Sequence, residues 1–85
     1  MSAKTFILPE KIQKSADKLP PHIRKRLPKA LLLIQQNPNA GIKLLGELSG
    51  CYKYRLGNYR IVYTFQAKKS TVEIVAIEHR QGVYK

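Results

Sequence analysis

Between Cys51 and Gln66 the chain reads CYKYRLGNYRIVYTFQ, two runs in which apolar and polar positions largely alternate. A period of two is the mark of a half-buried strand. The runs meet at Gly57-Asn58, a dipeptide that tolerates the positive φ of a two-residue hairpin turn. With that pair as the loop, Leu56 faces Tyr59, Arg55 faces Arg60, Tyr54 faces Ile61, Lys53 faces Val62 and Tyr52 faces Tyr63. Directly opposed residues share a face. One side of the predicted ribbon therefore carries Tyr52, Tyr54, Leu56, Tyr59, Ile61 and Tyr63, and the other carries Cys51, Lys53, Arg55 and Arg60. Ala67-Lys68-Lys69-Ser70 reads as a second turn, which brings Phe65 opposite Val72, Tyr63 opposite Ile74 and Ile61 opposite Ala76. The apolar face of this third strand lines up with that of the hairpin, as expected of an antiparallel meander.

Upstream the period lengthens. Thr5 to Leu8 is a β-branched and aromatic run long enough for one short strand, ended by Pro9. From Glu10 to Leu19, Ile12, Ala16 and Leu19 recur at helical spacing, and Pro20-Pro21 breaks the pattern. A second helix is predicted from about His22 to Gln36, with Ile23, Leu27, Ala30, Leu31 and Ile34 on one face. Pro28 lies inside it and is expected to kink or divide it, since proline lacks the amide donor and clashes with the preceding turn. Asn37-Pro38-Asn39-Ala40-Gly41 is a stop signal. Leu44, Leu45 and Leu48 fall in the connector and are expected to tuck under the sheet edge. The pattern as a whole predicts an α+β fold in one domain, residues 1–85. Two N-terminal helices pack on one face of a small, mainly antiparallel twisted sheet whose first strand lies at an edge.

Charge changes the picture next. In 85 residues there are 16 Lys and Arg against five Asp and Glu, a formal net charge of +11. A surplus of this size points to a polyanionic partner, nucleic acid before an acidic protein and either before a membrane surface. The longest apolar run, Ala30 to Ile34, is far below the roughly 20 residues of a spanning helix. The opening MSAKTFILPEKIQKS is too polar for a signal peptide, so a cytoplasmic location is expected. Cys51 has no second cysteine for a disulfide or a structural zinc site, and no metal or cofactor is expected.

The hairpin sharpens that general charge into a place. Like charges directly opposed in an antiparallel pair destabilise it, yet Arg55 is predicted to face Arg60. An anion seated between the two guanidinium groups and the nearby Lys53 accounts for the arrangement, and phosphate matches the geometry. The tyrosines at 52, 54, 59 and 63 fall on the apolar face and read as core, whereas Tyr84 lies outside the pattern and is free to stack on a base or to pack at the terminus. Strict alternation carried from Ile77, which would face Arg60, puts His79 rather than Arg80 on the basic side. A bend near Gln81-Gly82 would turn Arg80 inward instead. As read, this face holds no Asp or Glu and at most one His, which argues against paired acid-base chemistry.

The segment CYKYRLGNYRIVYTF followed by VEIVAIEHRQGVYK closely resembles the RelE branch of the RelE/ParE toxin superfamily, and the Leu44 to Gly50 approach and the two preceding helices fit as well. The resemblance implies a microbial-ribonuclease-like RelE fold. It also implies a toxin of a type II toxin-antitoxin system that enters the ribosomal A site and cuts mRNA there without metal, stopping translation. Position by position, Lys53 falls on the family lysine proposed to activate the 2′-hydroxyl, Arg55 on a second basic position that contacts substrate, and Arg60 on the phosphate-binding arginine. Arg80 falls on the arginine proposed as general acid or transition-state stabiliser and Tyr84 on the tyrosine that orients the base, with His79 kept as an auxiliary substrate contact. The partners implied are a cognate acidic antitoxin, the ribosome and its mRNA, and operator DNA only through the antitoxin complex, with no membrane. The alternatives are a ParE-like gyrase inhibitor and a catalytically degenerate protein that binds an antitoxin.

Overall fold

The computed structural model describes residues 2–44 and 50–79. In chain order the elements are β1 (Thr5–Ile7), α1 (Glu10–Asp17), α2 (Pro21–Arg24), α3 (Leu27–Gln36), β2 (Ile42–Lys43), β3 (Cys51–Leu56), β4 (Tyr59–Gln66) and β5 (Thr71–His79). The strands form one sheet in the order β1-β5-β4-β3-β2, with β1 parallel to β5 and the other pairs antiparallel. The α+β reading and the edge position of β1 hold.

Prolines punctuate the helical half. Pro9 precedes α1 and Pro20 precedes α2, each in an extended conformation that sets the entry angle, and Pro21 supplies a first-turn residue whose missing N–H is unneeded. The predicted second helix is divided rather than kinked. The break falls at residues 25–26, so that Pro28 lies in the first turn of α3, where it forfeits no helical hydrogen bond. Ile12 and Ala16 from α1, Ile23 from α2, and Leu27, Ala30 and Ile34 from α3 are buried. They form one core with Tyr52, Leu56, Ile61, Tyr63, Val72 and Ile74 of the sheet.

The β3–β4 register is the one the alternation predicts, from Leu56 opposite Tyr59 through Arg55 opposite Arg60 to Tyr52 opposite Tyr63. Gly57 takes φ +61, and positive φ at the first central residue alone is the mark of a type II′ turn. A Cβ there would also come within 2.8 Å of Ile23 Cδ1, so the turn sits tightly on α2. At the far end of the hairpin, Tyr63 is fully buried with its ring stacked on Tyr52 at 5.3 Å and 11°. Its hydroxyl donates to Pro38 O at 2.7 Å and accepts from Gly41 N–H at 2.9 Å. Burial raises the Tyr63 pKa above its ordinary 10.0, the hydrogen bond from Gly41 opposing that shift. This anchor fixes the stop segment after α3 and delivers the chain into β2, where Ile42 pairs with Lys53 and Lys43 with Tyr52.

Two features depart from the alternation. The two-residue β2 was not anticipated; its continuation, Leu44, donates its backbone N–H to Cys51 O at 2.9 Å, while Leu45 and Leu48 lie outside the described residues. The larger departure is a β-bulge between β4 and β5. Phe65 faces Val72 and Tyr63 faces Ile74 as expected, but Val62 then faces Ala76, leaving Val75 without a partner. Ile61 therefore faces Ile77 rather than Ala76, and Arg60 faces Glu78 rather than Ile77. The run Ile74-Val75-Ala76-Ile77 has no period of two, and one inserted residue returns Ile77 to the core face while Val75 is left exposed.

Candidate functional site

The sheet face turned away from the helices is organised in cross-strand rows. Arg55, Arg60 and Glu78 form one row across β3, β4 and β5; Lys53, Val62 and Ala76 form the next; Cys51, Thr64 and Glu73 form a third. Directly opposed residues have Cβ atoms about 5 Å apart and diagonal ones about 7–8 Å apart, so Lys53 is a diagonal neighbour of Arg60 within reach of long side chains. The predicted cluster of Lys53, Arg55 and Arg60 is thus brought onto one face of one rigid hairpin. Val62 is buried beneath it, and the Cys51 thiol is partly buried on the same face.

The three cations are not equivalent. Arg55 is exposed and its Nε donates to Gly57 O at 3.4 Å, a long hydrogen bond onto the hairpin turn. Arg60 is partly buried, its side chain only 16% exposed. Its Nη2 lies 3.9 Å from Glu78 Oε2, too far for a hydrogen bond but close enough for an ion pair. Its Nε is buried with no hydrogen-bond partner among the described residues. An arginine donor left unmatched is an unusual cost for a folded chain to carry, and it marks a guanidinium whose hydrogen-bonding capacity is not spent on the fold.

Glu73 and Glu78 both lie on this face, which corrects the expectation that it holds no carboxylate, and the bulge sets Glu78 in the Arg60 row. The same bulge corrects the placement of His79. Instead of joining Arg60, His79 lies opposite Tyr59 on the other face, its ring edge-on to that tyrosine at 4.8 Å and 90°. Sequence reasoning missed Glu78 because strict alternation through Val75 and Ala76 places the wrong parity at the end of β5. The apolar run before it was the available signal. Arg80 and Tyr84 lie outside the described residues. Tyr52 and Tyr63 are buried, and Tyr54 and Tyr59 pack partly buried against the same core, as expected for structural tyrosines.

On the other side of the hairpin tip a groove of about 470 Å³ opens between the helices and β3. Lys25, Arg26, Lys29 and Arg55 contribute to its lining together with the apolar Leu33 and Tyr54. Among the described residues, no group of three His, Cys, Asp or Glu is placed to hold a metal ion, and no helix is long and apolar enough to cross a membrane. Chemically, the outer face offers guanidinium and ammonium donors to an anion and, of its two carboxylates, one beside Arg60 that is able to compete with it.

Comparison with known proteins fits this geometry. A family profile described as "ParE toxin of type II toxin-antitoxin system, parDE" matches residues 7–84. Toxin RelG of Mycobacterium tuberculosis is 31% identical over 70 residues, covering 80% of each chain. Among solved structures, the toxin-antitoxin complex RelBE2 of M. tuberculosis contains a chain that superposes with TM-score 0.81 at 27% identity, covering 94% of this chain and all of that one. The isolated Escherichia coli RelE toxin superposes with TM-score 0.73 at 30% identity, covering 94% and 89%. With the profile spanning nearly the whole sequence and solved toxins of this type superposing along most of it, the chain belongs to the RelE/ParE superfamily of type II toxin-antitoxin toxins, as a RelE-like member.

Proposed function

We propose that this toxin is an endoribonuclease that cuts mRNA in the ribosomal A site. The observation that carries the reading is the opposed pair Arg55 and Arg60 with Lys53 diagonal to Arg60, three cations on one sheet face with, among the described residues, a partly buried, under-satisfied guanidinium at the centre. In this reading Arg60 grips the scissile phosphate and Arg55 a flanking oxygen, while Lys53, in its neutral form, accepts the 2′-hydroxyl proton. The 2′-oxygen attacks phosphorus, the bond to the 5′-oxygen breaks, and that oxygen leaves as a hydroxyl after taking a proton. The products are a 2′,3′-cyclic phosphate and a 5′-hydroxyl end. Arg80, as donor to the leaving oxygen, and Tyr84, stacked on a base, complete the set by family resemblance. His79, displaced to the Tyr59 face by the bulge, has no substrate contact in this scheme.

The ribosome supplies the in-line geometry that a face without paired general acids and bases does not impose by itself. Because donors aimed at developing phosphate charge are worth about 10²–10³ in rate, Arg60→Ala is expected to lose at least a hundred-fold in cleavage, with the fold intact by circular dichroism. Mapping of mRNA ends in translating extracts after toxin addition checks this. Full cleavage by the variant rules out the assignment of Arg60.

The partner in this reading is an acidic antitoxin. The solved relative RelBE2 is itself a toxin-antitoxin complex, and the groove beside the hairpin tip, with cations over apolar side chains, matches an acidic amphipathic segment. Operator DNA is reached through that complex. One observation favours a second reading, since the matching profile is described as a ParE toxin. Altered DNA supercoiling without cuts inside translated codons supports a ParE-like activity instead.

A further inference from the structure

Arg60 lies between two unlike neighbours. On β3 it faces Arg55, which repels it, and on β5 it faces Glu78, which attracts it. The carboxylate neutralises part of the like-charge opposition that a bound anion would otherwise relieve. It does so loosely: the contact is 3.9 Å, Glu78 is 41% exposed against 16% for Arg60, and the Arg60 Nε is still without a partner among the described residues. A tight structural ion pair would close to hydrogen-bonding distance and use the guanidinium fork in a bidentate way. Here the cation is the more enclosed of the two, and the more exposed anion has solvent to turn into.

From this geometry we propose that Glu78 is a resident counter-anion that competes with RNA phosphate for Arg60 and so sets how strongly the site takes free RNA. The inference rests on the reading of Arg60 as the phosphate-binding residue. An incoming phosphate must displace the carboxylate or bear its repulsion, so the toxin alone holds RNA weakly. Productive binding then depends on further contacts that a folded assembly supplies. Glu78 is a specificity-determining residue acting through Arg60.

The test compares Glu78→Gln with Glu73→Gln. Glu73 is exposed on the same strand, faces Thr64, and its replacement changes net charge equally without touching the Arg60 row. Binding of inorganic phosphate and of a short single-stranded RNA is followed at low salt by NMR, using the backbone amide resonances of β4 and β5, which remain when Arg60 is replaced. Glu78→Gln is expected to tighten both by roughly five-fold, the scale of one partly exposed charge contact. Glu73→Gln is expected to leave both nearly unchanged, and the gain should vanish when Arg60→Gln is added. Glu78→Asp, which keeps the charge and withdraws it by one methylene, is expected to give a smaller gain, and it serves if Glu78→Gln disturbs the strand.

Equal effects of Glu78→Gln and Glu73→Gln overturn the inference while leaving the phosphate role of Arg60 intact, provided Arg60→Gln alone loses binding. Weaker binding by Glu78→Gln overturns it too, since Glu78 would then only hold Arg60 in place. An Arg60→Gln chain that binds phosphate as tightly as the parent overturns both the inference and the reading beneath it.

Discussion

The two faces of the β3–β4 hairpin are made by the same strands and treat their polar groups in opposite ways. On the helix side the fully buried Tyr63 hydroxyl both donates and accepts at good distance, to Pro38 and from Gly41. On the outer side the partly buried guanidinium of Arg60 leaves its Nε unmatched among the described residues and meets its carboxylate at 3.9 Å. A satisfied buried group contributes to the fold and offers nothing to a ligand. An under-satisfied one costs stability and is available. The contrast places a spent polar group on one face and an unspent donor on the other within a single hairpin.

The largest effect expected from breaking this contrast is on the satisfied face. Tyr63→Ala removes a fully buried ring, its stacking on Tyr52 and the clasp on the stop segment, so it should cost about 3–5 kcal/mol, measured by urea denaturation. A loss below about 1 kcal/mol contradicts the view of Tyr63 as the anchor. Tyr63→Phe isolates the hydroxyl and is expected to cost about 1–2 kcal/mol, because Pro38 O and Gly41 N–H lose their partner while the ring stays.

The same pair separates the pH response. Burial raises the Tyr63 pKa above 10.0, so folding favours the neutral phenol. Its stabilisation is fully present below pH 10 and is lost as pH rises through the higher folded-state value. Between pH 9 and 11 the parent should therefore lose stability more steeply than Tyr63→Phe; parallel curves contradict a raised pKa.

What could be read from the sequence follows the same division. The hairpin register was legible because a period of two and one Gly-Asn turn leave a single pairing that buries the tyrosines together, and the helix faces were legible from Ile12, Ala16, Ile23, Leu27, Ala30 and Ile34. Both rest on strong local patterns. Ile42-Lys43 carries none, being two residues long with Ile42 exposed, so β2 exists only through its pairing with β3. The bulge at Val75 is a tertiary decision, settled by where Ile77 finds core to pack against, and it alone put Glu78 beside Arg60 and His79 beside Tyr59. The cations of the site were legible one by one, whereas their counter-ion depended on a register shift that alternation does not encode.

The smallest expected effect concerns the repulsion from which the site was first inferred. Arg55 and Arg60 are directly opposed, an arrangement that destabilises a strand pair by a few tenths of a kcal/mol and is screened by salt. Glu78 already offsets part of it from the other side of Arg60, and the exposed Arg55 spends its Nε only on a long contact with Gly57 O. Arg55→Gln should thus raise stability by about 0.2–0.5 kcal/mol at low ionic strength and by nothing measurable at 0.5 M salt. The size of the gain should depend on Glu78: in the Glu78→Gln background, where that carboxylate no longer offsets the opposed guanidinium groups, the gain should grow. A gain that is the same in both backgrounds means that Glu78 does not shield Arg60 from Arg55, and a loss of stability in either means that the Gly57 contact outweighs the repulsion.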